Sequence, residues 1–159
     1  MRVRIAIATG CLALAVVSGA EAATVTTTMP VSATVVATCT VGANPLAFGN
    51  YSGLAVSQTT TLTLECTNGT AYNVGLNAGT GSGATTTTRI MTGGTGSLDY
   101  QIFQNATHTT NWGDTIGTDT KLGTGTGTIQ TLTVYGQVPA GQFPPVGSYA
   151  DTITVTVTY

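Results

Sequence analysis

Charge is what this 159-residue chain has least of: 6% of its residues are Asp, Glu, Lys or Arg, against about 25% in an ordinary soluble domain. Four are basic (Arg2, Arg4, Arg89, Lys121) and six acidic (Glu21, Glu65, Asp99, Asp114, Asp119, Asp151). Without a basic patch there is no electrostatic footprint for nucleic acid, and no nucleic-acid partner is expected. The single histidine, His108, excludes a multi-histidine metal centre within one chain. Glu, Lys, Gln and Arg, which normally coat helix surfaces, are scarce, so an all-α protein is not expected. What is abundant is 36 Thr and 21 Gly. A nearly neutral, Thr-rich chain of the β type remains.

Residues 1–22 read as a secretory signal. Arg2 and Arg4 form a positive start, Ile5 to Val17 an apolar stretch, and Ala20-Glu21-Ala22 a small-x-small cleavage site. The apolar stretch is short for a helix spanning about 30 Å of hydrocarbon, so cleavage before Ala23 is expected rather than anchoring. Cys11 leaves with the signal. Removing 22 of the 159 residues leaves 137, enough for one domain with a core. Two cysteines stay, Cys39 and Cys66, and an isolated pair in an exported chain is expected to form a disulfide.

Alternation of apolar and polar residues, the half-buried strand signal, recurs along the mature chain. Leu62, Leu64 and Cys66 share a face; so do Tyr72, Val74 and Leu76; so do Leu98, Tyr100 and Ile102. Leu132, Val134 and Val138 mark another strand. The last is the clearest, with Ile153, Val155, Val157 and Tyr159 on one side and Thr152, Thr154, Thr156 and Thr158 on the other. Thr suits a solvent-facing strand, since its β-branch favours extended backbone while its hydroxyl meets water. The stretches 77–88, 92–97 and 123–128 lack apolar period and read as loops. About six strands are expected from Cys39 onward: around Cys39, and at 60–67, 71–77, 98–104, 129–138 and 149–159. An immunoglobulin-like sandwich wants seven.

Residues 24–36, TVTTTMPVSATVV, form an extended arm ahead of Cys39. Val25, Thr27, Met29, Val31, Ala33 and Val35 fall on one face. At strand rise the arm spans roughly 43 Å, the length of a sheet edge. Two readings fit: the first strand of the same domain, or a strand given to a neighbouring molecule.

Six segments, in order, carry a resemblance: TCTV (38–41), LAFGNYSG (46–53), LECTNGTAYNVGLNAG (64–79), RIMTGG (89–94), LDYQIFQNATHTTNWGD (98–114) and TVYGQVPAGQFPPVGSYADTITVTVTY (133–159). Together they resemble the spore coat protein U domain family, which includes major subunits of archaic chaperone–usher pili. The resemblance implies an all-β, incomplete immunoglobulin-like sandwich over 38–159, lacking its final strand, with a donor-strand arm over 23–37. It implies export through the periplasm to the cell surface as a pilus or fimbria. Its implied partners are a periplasmic chaperone, an outer-membrane usher and further copies of itself, joined head to tail by donor-strand exchange. The arm's Val31, Ala33 and Val35 would enter a neighbour's groove; Pro30 cannot donate to a ladder, so pairing is expected over 31–36. The strand with Ile153, Val155, Val157 and Tyr159 would pair with the chaperone. Where the family often has Arg, this chain has His108. The family name also admits a second role, a surface or spore-coat binding module without long fibres.

No enzyme and no cofactor are expected. His108 and Asp114 lie close in sequence, but catalysis would also need a Ser or Cys nucleophile, and both remaining cysteines are assigned to the disulfide. Asp99, Asp114 and Asp119 lack the spacing of a calcium loop. Asn68-Gly-Thr and Asn105-Ala-Thr match N-glycosylation sequons, an expected coincidence in so Thr-rich a chain.

Overall fold

The computed structural model describes Gly19 and residues 21–159. The expected leader, 1–22, therefore lies outside the described residues except for Gly19, Glu21 and Ala22. The described chain divides into two units at Thr34/Val35. Up to Thr34 it carries no regular structure, and residues 24–34 are solvent-exposed throughout.

From Val35 onward the fold is all-β. The eight strands are β1 (Cys39–Ala43), β2 (Val56–Cys66), β3 (Ala71–Leu76), β4 (Arg89–Gly93), β5 (Gly96–Phe103), β6 (Lys121–Thr124), β7 (Gln130–Val138) and β8 (Val155–Thr158). They pair antiparallel into two sheets, ordered β1-β2-β7-β5-β4 and β6-β3-β8. The alternation read from the sequence decides which side chains lie between the sheets. Leu62, Leu64 and Cys66 are buried while Thr63 and Glu65 are exposed. Tyr72, Val74 and Leu76 are buried from the facing sheet, and Leu98, Tyr100, Ile102, Val134 and Val138 complete the core. This is an immunoglobulin-like sandwich.

Two strands exceed the six expected, and each runs by two residues into a stretch read as a Gly/Thr loop. The 92–97 stretch is the turn of a β4–β5 hairpin, with Thr92 paired to Ser97 and Gly93 to Gly96. Gly94 takes the left-handed conformation there (φ 54°), so the glycines that hide the apolar period also permit the tight turn. The 123–128 stretch gives its first two residues to β6, where Gly123 sits so close to the Tyr72 ring that a Cβ would collide with it. At the other end, β2 starts at Val56, earlier than expected.

The expected strand 149–159 is shortened to Val155–Thr158. Upstream of it, Ala150 forms an isolated bridge with Thr92 of β4, in the other sheet. The chain crosses between sheets at Asp151, whose carboxylate accepts from Thr80 N–H (2.8 Å) and Thr152 N–H (2.7 Å). A backbone N–H bonded to a side chain is lost to the ladder, which is why pairing cannot run unbroken from 149. Tyr159, expected on the inward face, is 58% exposed, so that face ends at Val157.

Candidate functional site: an open seam between two edge strands

β1 and β8 are the outer strands of their sheets on the same side of the sandwich. They run antiparallel and their Cα atoms approach within 8 Å. No ladder joins them among the described residues. Each therefore presents one unpaired edge.

The side chains at this seam come from known registers. On β1, Cys39, Val41 and Ala43 lie opposite Cys66, Leu64 and Leu62 of β2. All three of those partners are buried, so the odd-numbered β1 residues point inward. Yet Val41 remains 41% exposed. On β8, Val155 and Val157 lie opposite Leu76 and Val74, both fully buried, but are themselves only half-buried. Ile153 is half-buried in the same alternation, while Thr154, Thr156 and Thr158 face solvent. Inward-pointing apolar side chains short of burial, beside two unpaired backbone edges, offer the chemistry that a further strand would complete.

The start of β1 is fixed by covalent and polar links. Cys39 and Cys66, directly opposite in the ladder, form a disulfide (Cα–Cα 4.1 Å). Thr67 N–H donates to Thr38 O (3.0 Å), Thr38 N–H donates to Thr67 Oγ1 (3.2 Å), and the Thr67 hydroxyl donates to Val36 O (3.3 Å). The chain is thus bound to β2 back to Val36. In the arm before it, Val31 and Val35 are 84% and 82% exposed.

The opposite side of β8 is closed by a polar cluster that the sequence reading missed. Arg89 is fully buried. Its guanidinium donates to four backbone carbonyls: Asn77 (2.9 Å), Thr86 (2.8 Å), Leu76 (2.9 Å) and Trp112 (2.7 Å). Burial lowers its pKa from the ordinary value, opposed by the field of Tyr100, Asp114, Asp119 and Asp151. Trp112, also fully buried, donates its indole N–H to Val74 O (2.9 Å). Tyr100 donates its hydroxyl to Asp151 Oδ2 (2.8 Å). Burial first, then that hydrogen bond and the nearby carboxylate, push the Tyr100 phenol well above its ordinary value. Burial alone would raise the Asp151 carboxyl, but hydrogen bonds from Thr80, Tyr100 and Thr152 together hold it below the usual carboxylate range. The one available signal was Arg89 itself, a lone Arg opening an otherwise apolar strand.

The remaining candidate residues have local roles. His108 packs edge-on against Phe103 (5.2 Å between ring centroids) in a left-handed turn (φ 54°). Asp119 accepts from Thr115 N–H and Asn111 Nδ2. Among the described residues no three His, Cys, Asp or Glu side chains gather into a metal-holding group. The Asn105 side chain is occupied on all sides by Thr107, Thr109 and Thr110.

Sandwich, open seam and exposed arm together define the class of a strand-deficient β-subunit. Residues 25–156 match the Spore Coat Protein U domain, and the chain belongs to that family. It is 32% identical over 177 aligned positions to Protein U of Myxococcus xanthus, covering all of this chain and 98% of that protein. Among solved structures it is similar to one from the CsuC–CsuE chaperone–tip adhesion subunit pre-assembly complex of the archaic chaperone-usher Csu pili of Acinetobacter baumannii. That likeness has a TM-score of 0.60 and 25% identity, covering 79% of this chain and 41% of the other.

Proposed function

We propose that this chain is an exported structural subunit that polymerises by donor-strand exchange into a surface fibre, with roles in adhesion and biofilm. The observation that carries this reading is the seam. Ile153, Val155 and Val157 point inward only half-covered, and Val41 inward but 41% exposed, beside two backbone edges without partners. The same chain carries an exposed, alternating arm whose Val31, Ala33 and Val35 match that vacancy in period and polarity. Burying three such side chains gains roughly 1.5–3 kcal/mol each where they are large, before ordering costs. The contact is head to tail, so it propagates into an open filament. Until a neighbour's arm arrives, an edge of this kind invites aggregation. We assign its temporary cover to a periplasmic chaperone pairing with β8, followed by export through an outer-membrane usher. Likeness to a structure from a chaperone–subunit pre-assembly complex supports the chaperone as a partner.

The experiment separates faces of the arm at constant charge. Val31→Asp or Val35→Asp would bury an unpaired carboxylate, at a cost of several kcal/mol. Each should abolish the ladder of unboiled multimers on a gel while leaving chaperone-bound monomer intact. Ser32→Asp and Thr34→Asp, pointing outward, should assemble normally. Assembly unaffected by any of the four would refute the arm as donor. A second reading, a coat module without long fibres, is favoured by the match to Protein U along its whole length. It predicts short oligomers or a single band for the wild-type chain.

A further inference from the structure

We propose that the loop end of one subunit, centred on Phe143, is covered in the fibre by the arm-root end of the next subunit, the one whose arm fills its groove. This rests on the donor-strand reading and adds the face on which successive bodies meet.

Strand directions give the sandwich two distinct ends. The start of β1, the end of β2 and the start of β7 lie together, from the pairs Cys39–Cys66 and Leu64–Gln130. The end of β8 joins them through Asn73–Thr158. This arm-root end is finished by the 67–70 turn, bonded to Thr38 and to Gly125. At the opposite end the 44–55 connection meets the 139–148 segment, with Gly141 N–H donating to Gly53 O (2.9 Å). There the Phe143 ring lies on Gly53, where an added Cβ would come within 2.8 Å of Phe143 Cε1. Phe143 is 85% exposed, and Leu54 and Val146 beside it in the same two segments are exposed as well. An aromatic and two aliphatic side chains left in water at one end, with no charged residue in either segment, fit a protein surface rather than bulk solvent.

Topology says which surface. β8 runs from the Phe143 end towards the arm-root end. A guest strand pairing antiparallel with β8, the commoner arrangement, runs the other way and emerges at the Phe143 end. With Val31, Ala33 and Val35 seated, only four Cα steps separate Val35 from Cys39 of the donor's own body, at most about 14 Å. Part of that length is already bound, since Val36 O and Thr38 are hydrogen-bonded to Thr67. The donor's arm-root end is therefore tethered directly over the recipient's Phe143 end, and the geometry of the tether brings it against that uncharged, apolar surface.

The test is cysteine accessibility in the mature chain, where Cys39 and Cys66 are joined and an introduced thiol reports alone. Phe143→Cys and, independently, Leu54→Cys are labelled with a maleimide as chaperone-bound monomer and as assembled fibre. Thr133→Cys, on the exposed sheet face, is the reference. The expected result is labelling at least tenfold slower in fibres at 143 and 54, with 133 unchanged. Equal rates at 143 and 54 in both states, or equal slowing at 133, would overturn the proposed contact while an unboiled ladder upholds strand exchange. Absence of any ladder from the wild-type chain would overturn strand exchange itself, and this contact with it.

Discussion

The two flanks of the C-terminal strand are built on opposite principles. On one flank β8 is laddered to β3, and the chain leading into it is held by Asp151 and the buried Arg89 cluster, where each polar group named above has a partner. On the other flank the same strand leaves its backbone edge unpaired and its valines half-covered. The closed flank stabilises the subunit alone. On the proposed donor-strand reading, the open flank holds stabilisation in reserve for the strand that fills it. Substitutions on the two flanks should therefore register in different states of the molecule.

The largest effect belongs to the closed flank. Arg89→Met keeps the aliphatic volume but strips hydrogen bonds from four carbonyls, two of them bonded by a deeply buried Nη2. Leaving buried acceptors unmade costs about 1–3 kcal/mol each before relaxation. A loss of roughly 3–5 kcal/mol is expected, read as a lower denaturant midpoint of the purified subunit. Arg89→Lys should restore little, because one ammonium cannot reach four carbonyls spread across the planar fork. Full rescue by Lys would mean that charge, not geometry, is what the site requires.

The open flank should give a smaller and state-dependent effect. Val155→Ala deletes two methylene-sized groups, worth about 0.8 kcal/mol each when buried. In the free subunit, where Val155 is half-buried, about 1 kcal/mol or less is expected. In assembled fibres the loss should rise towards 1.5–2.5 kcal/mol, as the cavity term is added. Equal losses in both states would mean that nothing further covers Val155 on assembly.

This contrast also explains what the sequence made legible. Strands facing both core and solvent announce themselves by alternation, so β2, β3, β5 and β7 were readable from Leu62, Val74, Tyr100 and Val134. The disulfide followed from the expected export and from the phase of Cys66. The seam was half-legible: the β8 alternation was plain, but Val41 gives no sign in CTVGA that its face lacks a cover. β4 and β6 were hidden because their glycines serve close approach rather than burial. At Gly93 an added Cβ would strike Ser148 O, where the chain bridges the two sheets. The Arg89 cluster was illegible because its acceptors are backbone carbonyls, which have no letter in the sequence. Burial of a lone cation normally argues for a carboxylate partner, and here the four carbonyls take that place.

The smallest predicted effect tests the closed flank through pH. The folded state holds the Asp151 carboxyl below the usual carboxylate range of about 4. A depressed folded pKa means that the unfolded chain binds the proton more readily. The contribution of Asp151 to stability is thus fully present above about pH 4 and is lost as pH falls through the lower folded value. Asp151→Asn keeps one acceptor but no charge, so it should be modestly less stable than wild type at pH 7. The difference should close as both are titrated towards pH 2, because the wild-type carboxyl becomes neutral too. The measurement is the denaturant midpoint of each at intervals from pH 7 to pH 2. Curves that stay parallel would show that the Thr80 and Tyr100 hydrogen bonds work through shape alone. Converging curves would make the charge on Asp151 part of what directs the chain from one sheet into β8.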